Sequence, residues 1–218
     1  HSETFTVTVN PINDLPTLTA LSALTVDEDS TEQTVNLAGI TAGGGETQPL
    51  RVTASSNNTV LIPNPVVTYT TAEATGSLVF TPVADQYGTA TITVTVEDGG
   101  FDNNLATTND NASFSRTFDV TVNPVNDLPT LDTITDPAAI LEDGGEQTVN
   151  LAGITAGLHE SQRLRVTASS NNTALIPNPL VSYTTAETTG SMAFTPVADQ
   201  YGTATITVTV EDAGLDGN

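Results

Sequence analysis

The residues best placed to do chemistry are acids that return at matching positions. Glu28 and Asp29 come back as Glu142 and Asp143, and Asn13-Asp14 as Asn126-Asp127. Asp85, Glu97 and Asp98 come back as Asp199, Glu211 and Asp212. A set made of carboxylates and amides suits a hard cation, since calcium takes about six to eight oxygen ligands at roughly 2.3–2.6 Å. The plainer reading of any one of these acids is a turn former or strand-end cap. Acids scattered over a solvated surface would need no further role, but these gather beside segments that read as domain junctions.

The composition narrows the partners. Twenty-six Asp and Glu stand against four arginines and no lysine, for a net charge of −22 over 218 residues. Nucleic acid is excluded as a partner, because phosphate neutralisation needs Lys and Arg. No apolar run approaches the roughly 18 residues of a membrane span, so no membrane insertion is expected. There is no cysteine, which removes disulfides and thiolate chemistry and shifts weight onto bound metal or size. An enzyme is not expected. His1 is terminal, His159 falls in a Gly/Glu loop, and no Ser–His–Asp set, phosphate-cradling loop or zinc-type His cluster is present. A sugar-binding cleft has no Trp to build on; Tyr69 and Tyr183 are the candidate platforms for surface glycans.

Two repeats hold these acids in place. TVNLAGITAG (34–43), RVTASSNNT (51–59) and FTPVADQYGTATITVTVED (80–98) each recur 114 residues later. RTFDVTVNPVNDLP (116–129) has a partial copy, TFTVTVNPINDLP, at 4–16. In these hinge segments an alternating strand runs into Asn-Pro and Asn-Asp-x-Pro, where proline gives no N–H to a ladder. Within one repeat, seven strands are predicted at 18–26, 33–40, 50–55, 66–70, 77–81, 89–97 and 115–122, separated by Gly, Pro and Asn turns. Seven short strands in about 110 residues read as an immunoglobulin-like sandwich. Tyr87 is either a tyrosine corner or an ordinary buried tyrosine. The expected fold is all-β, two tandem seven-stranded immunoglobulin- or cadherin-like sandwiches. The boundaries are a closing or donor strand at 1–10, a linker at 11–16, a sandwich at 17–123, a linker at 124–129 and an incomplete sandwich at 130–218.

FTPVADQYGTATITVTVEDGG followed by FDVTVNPVNDLPT resembles the bacterial cadherin-like repeats of large secreted adhesins, over essentially the whole chain and twice. The resemblance implies an extracellular, calcium-dependent array of sandwiches joined end to end. It also implies junctional calcium ligands at Asp127, Glu142, Asp85 and Asp98, with Asn126 giving an oxygen. The repeat matches add Glu28, Asp29, Asn13, Asp14, Asp143, Asp199 and Asp212, and Asp102 is a further candidate. Animal cadherins carry a longer D-x-N-D-N-x-P linker than Asn126-Asp127-Leu128-Pro129.

The register of the segments adds a partner expectation. The second sandwich stops after the counterpart of Asp98-Gly-Gly, without a match for residues 115–122, while Phe5, Val7 and Val9 lie on one face of an unattached strand. Copies of the chain joined head to tail by donor-strand complementation would bring the two together. The alternative is a slice of a longer covalent array.

Overall fold

The computed structural model describes residues 1–214, and the last four residues of the expected second sandwich lie outside them. Every regular element among the described residues is a strand. The chain divides into two units, His1–Pro124 and Val125–Asn218.

The first unit holds β1 (Leu24–Asp27), β2 (Gln33–Ala38), β3 (Leu50–Ser56), β4 (Val66–Thr68), β5 (Thr75–Phe80), β6 (Gly88–Asp98) and β7 (Ser113–Asn123). One sheet runs β1-β7-β6-β3 and the other β2-β5-β4. The alternation that identifies the strands also builds the core. On β6, Ala90, Ile92, Val94 and Val96 point inward and the intervening threonines outward. They meet Phe118, Val120 and Val122 of β7 and Leu37, Leu78 and Phe80 from the facing sheet in one aliphatic cluster. This is an immunoglobulin-like order, with one shift: the first strand pairs in parallel with the last, Leu24 beside Val120 and Val26 beside Val122.

The sequence predicts one long first strand at 18–26, and the structure breaks it. Thr17 bridges Thr41, and the Thr19 N–H donates to the Ala38 carbonyl at 2.9 Å, so this stretch lies along the edge of β2. The chain then crosses to the other sheet and pairs with β7 from Leu24. Leu18 and Leu24 must both face the core, and a change of sheets in between satisfies both.

The second unit holds β8 (Gln147–Ala152), β9 (Leu164–Ser170), β10 (Leu180–Ser182), β11 (Thr189–Phe194) and β12 (Ile206–Asp212). Its sheets are β10-β11-β8 and β12-β9. The sequence GTATITVTVED is the same at 88–98 and 202–212, yet β6 is eleven residues long and β12 seven. The pairing explains the difference. Residues 92–98 pair with β3, whereas 88–91 pair only with β7. Among the described residues no strand lies on the corresponding edge of β12, and residues 202–205 form no ladder. Residues 138–141, the counterparts of β1, likewise form no strand and are exposed.

The buried core of the second unit is correspondingly small, with Leu151, Ile154 and Val166 at its centre. Ile92 is fully buried, whereas its counterpart Ile206 is only half-buried. Truncating the two should therefore differ although their sequence surroundings match. In urea unfolding of dilute protein, Ile92→Ala should cost about 3 kcal/mol and Ile206→Ala about 1 kcal/mol, since the cost follows the packing removed. Equal costs would mean that the second unit packs as the first does.

Candidate metal centre

The inward column of β6 does not end on an apolar residue. After Ala90, Ile92, Val94 and Val96, the next inward position is Asp98, and it is 0% exposed. Its Oδ1 accepts three hydrogen bonds: from the backbone N–H groups of Gly100 at 3.0 Å and Ala112 at 2.9 Å, and from Asn13 Nδ2 at 3.2 Å. Its Oδ2 is buried and accepts none. A buried carboxylate oxygen without a partner is costly and asks for a cation or an unseen donor.

The surrounding groups are oxygen-rich. The Asn13 amide also donates to the Asp110 carbonyl at 2.9 Å, and Gln48 Nε2 donates to Asn13 Oδ1 at 2.9 Å and to Glu46 Oε2 at 3.0 Å. The Asp14 N–H donates to Glu46 Oε2 at 3.2 Å. Gln48, 8% exposed, leaves its Oε1 buried without a donor, and so does Asn111 with its Oδ1. The backbone is cut to fit: a Cβ on Gly44 would stand 1.7 Å from Asp14 Oδ2, and one on Gly43 2.3 Å from the Leu15 carbonyl oxygen. Both glycines have positive φ, so the turn and the close approach make the same demand.

The second unit repeats the arrangement with its own residues. Gln162 Nε2 donates to Asn126 Oδ1 at 3.2 Å, the Asp127 N–H donates to Glu160 Oε2 at 3.1 Å, and Asn126 Nδ2 lies 3.4 Å from Asp212 Oδ1. Asp127 Oδ2, Glu160 Oε1 and Gln162 Oε1 are buried acceptors without partners. The donors in both places are carboxylates, carboxamides and carbonyls, with no His or Cys, which fits calcium and not a zinc site.

The remaining expected ligands lie elsewhere. Glu28 is buried, and its N–H donates to the Asn123 carbonyl at 2.8 Å; Glu142 is exposed. Asp29 Oδ1 accepts the Asp85 N–H at 3.0 Å, and Asp143 Oδ1 accepts the Asp199 N–H at 3.0 Å. Asp85 and Asp98 are grouped by sequence position, but Asp85 precedes β6 and Asp98 is its last residue, so the strand's length of about 30 Å, at roughly 3.3 Å per residue, lies between them. Glu142 adjoins the Asp143–Asp199 pair, whereas Asp127 joins the end marked by Asp212. Each unit thus has one acidic end at its incoming linker and a second, more open one at the Asp29–Asp85 or Asp143–Asp199 contact. Asp102 caps its own loop, accepting the Asn104 N–H at 2.9 Å and the Thr107 hydroxyl.

Glu46-x-Gln48 and Glu160-x-Gln162 escape the sequence reading. A signal was present: in GGGETQPL and GLHESQRL most neighbours change while Glu and Gln keep their places. The tyrosine expectations also change. Tyr69 and Tyr183 are partly buried against the cores and donate to the Glu73 and Glu187 carbonyls at 2.9 and 3.0 Å, so neither is an open platform. Burial raises both phenols above their ordinary value. Tyr87 is 51% exposed, so it is neither a tyrosine corner nor a buried tyrosine. His159 is an exposed loop residue at φ 59°, in the place of Gly45.

No protein-family model and no curated protein matches the chain. Among solved structures, it overlaps titin domains Z1Z2 in complex with telethonin at 11% identity and TM-score 0.32, covering 93% of this chain and 96% of that one. Domains 4 and 5 of the S-layer protein SbsC overlap at 23% identity and TM-score 0.30, over 75% and 66%. A Bacteroides ovatus SGBP-B, in complex with a mixed-linkage heptasaccharide, overlaps at 17% identity and TM-score 0.32, over 95% and 46%. Overlaps this loose carry no inference about function. No helix among the described residues is long and apolar enough to cross a membrane.

A cross-strand ion pair flanks the site in the first unit. Arg51 donates to Glu97, whose other oxygen accepts from Asn111 at 3.2 Å. The Arg51 hydrogen bond is the main reason the Glu97 carboxyl is held below its ordinary value of 4.5. A lowered folded value means that the pair's contribution is present above pH 4.5 and is lost as the pH falls through the lowered value. Arg51→Gln should therefore cost no more than about 1 kcal/mol at pH 7 for this partly exposed pair. The gap to the parent should close in urea unfolding as the pH falls below that lowered value; a gap that persists in acid would assign the cost to packing of the Arg51 stem.

Proposed function

We propose that the chain is a structural segment of an extracellular, calcium-stabilised fibre or adhesin stalk of bacterial type, whose copies join head to tail by strand donation. The observation that supports it most is the linker-side set of buried, unpartnered acceptors around Asp98 and its counterpart in the second unit. The residues that would hold calcium are Asn13, Asp14, Glu46, Gln48, Asp98 and Asp110 in the first unit, and Asn126, Asp127, Glu160, Gln162 and Asp212 in the second. A bound divalent ion would neutralise carboxylates that otherwise repel and would fasten each linker to the unit that follows it. The Asp29–Asp85 and Asp143–Asp199 pairs, with Glu28 and Glu142 beside them, are candidates for weaker, more solvated binding.

The energetics suit the extracellular space. At millimolar calcium and a dissociation constant of ~0.1 mM, one site stabilises by about 1.4 kcal/mol. In the cytosol, where free calcium is far lower, the same site would add almost nothing. The same sites would serve if the repeats continue within a longer covalent array. The reading as a glycan-binding module has less support, since the tyrosines proposed for it are half-buried.

Calcium titration of the full chain, followed by thermal unfolding, tests the reading. One millimolar calcium should raise the midpoint by several degrees, and magnesium should do much less, because it dehydrates reluctantly and demands octahedral geometry. Asp98→Asn should remove the gain in the first unit and leave that of the second. Midpoints that ignore calcium in the parent protein would rule the cation role out.

A further inference from the structure

Two side-chain amides in each unit are oriented in series. An amide carries donors at one end and an acceptor at the other, and its neighbours decide which way it faces. Asn13 Nδ2 donates to Asp98 Oδ1 at 3.2 Å and to the Asp110 carbonyl at 2.9 Å. Both partners only accept, so the amide nitrogen must face them and Asn13 Oδ1 must face the other way. There it meets Gln48, whose Nε2 donates to Asn13 Oδ1 at 2.9 Å and to Glu46 Oε2 at 3.0 Å. These partners also only accept, so Gln48 has a single orientation as well. Its Oε1 is turned away from both, buried and without a donor, on a side chain only 8% exposed.

The second unit builds the same series. Asn126 Nδ2 donates to the Asp127 carbonyl at 3.0 Å and lies 3.4 and 3.5 Å from the two Asp212 carboxylate oxygens. Gln162 Nε2 donates to Asn126 Oδ1 at 3.2 Å, and Gln162 Oε1 is again left buried without a donor. Asp127 Oδ2 and Glu160 Oε1 are left in the same condition. The linker aspartate and the loop glutamate are neighbours in both units, since the Asp14 and Asp127 N–H groups donate to Glu46 and Glu160.

We infer that Asn13 and Asn126 are positioning residues and not ligands. Each turns the glutamine of the Glu-x-Gln loop so that its Oε1 takes the cation together with the loop glutamate and the linker aspartate. This rests on the cation reading above and narrows its ligand set. Asp98 Oδ1, Asn13 Oδ1, Glu46 Oε2 and the Asp110 carbonyl already accept protein donors, whereas Gln48 Oε1 is the oxygen that the series leaves over. Asp14, Glu46 and Gln48 together offer a pair of carboxylates and a neutral oxygen, which matches the charge of a divalent ion. The series begins at Asp98 on the sandwich and passes through the linker before it reaches the glutamine. The linker must therefore be docked for Gln48 to be aimed, and by linkage a bound cation strengthens the docking by the same factor.

Nuclear magnetic resonance of the isotope-labelled full chain reads the amides directly. On calcium addition the side-chain carbonyl carbons of Gln48 and Gln162 should shift, and those of Asn13 and Asn126 should stay. The Asn13 amide protons should keep their Overhauser contact with the Ala112 N–H, since both groups donate to Asp98 Oδ1. Gln48→Met, of similar size but without that oxygen, should weaken calcium binding in the first unit about ten-fold or more. Gln48→Glu returns an oxygen and should restore it. An Asn13 carbonyl that shifts as the contact with Ala112 is lost would make Asn13 a ligand and overturn the inference. A Gln48→Glu chain as weak as Gln48→Met would overturn it too. Glutamine carbons that stay put while calcium raises the thermal midpoint sink this assignment and leave the cation role standing. Spectra and midpoints that both ignore calcium sink the two together.

Discussion

Backbone pairing on both edges of one strand decides how much of each unit is folded tightly. In the first unit β7 gives its left edge to β1 and its right edge to β6, and its inward face closes the core. Where that strand is present, eleven residues of β6 are a ladder and the column behind them is sealed. Where no equivalent lies among the described residues, the same eleven-residue sequence keeps only the seven that a different neighbour holds. The comparison is unusually clean because the local sequence is unchanged. Strand propensity and alternation are the same in both places, and only the long-range partner differs.

The buried carboxylate follows from the same periodicity. An alternating strand has no choice about which face its eleventh residue takes, so Asp98 is delivered to the core side after four apolar residues. A charge there needs partners, and the incoming linker carries them. The Asn13 amide reaches Asp98, and Glu46 and Gln48 hold Asn13 and Asp14 from the other side. Linker and sandwich are tied by polar groups that are only partly satisfied.

Much of this was legible in the sequence. The strands at 33–38, 50–56 and 88–98 follow from alternation and turn residues, and the recurring acids follow from the repeat. The unreadable parts depend on direction in space. Asp85 and Asp98 are close in sequence, but a whole strand separates them, and sequence proximity conceals which end of a strand an acid occupies. The split of 17–27 between two sheets leaves no local mark, because both halves carry the same alternation. Glu46 and Gln48 were hidden by a loop that looks like an ordinary glycine turn. The tyrosines misled because an aromatic ring in a polar stretch reads as exposed, while Tyr69 folds back onto the core and bonds the carbonyl four residues on.

The parallel pairing of β1 with β7 has a mechanical consequence. The chain enters the first unit ahead of Leu24 and leaves it after Asn123, and these two strands lie side by side, pointing the same way. Tension along the chain pulls one from its beginning and the other from its end, so the two slide past each other. Slanted parallel hydrogen bonds from Leu24 to Asn123 are then loaded at once and not peeled one at a time. The resistance of such a clamp to pulling is set by the whole row of bonds together, a quantity separate from the unit's equilibrium stability.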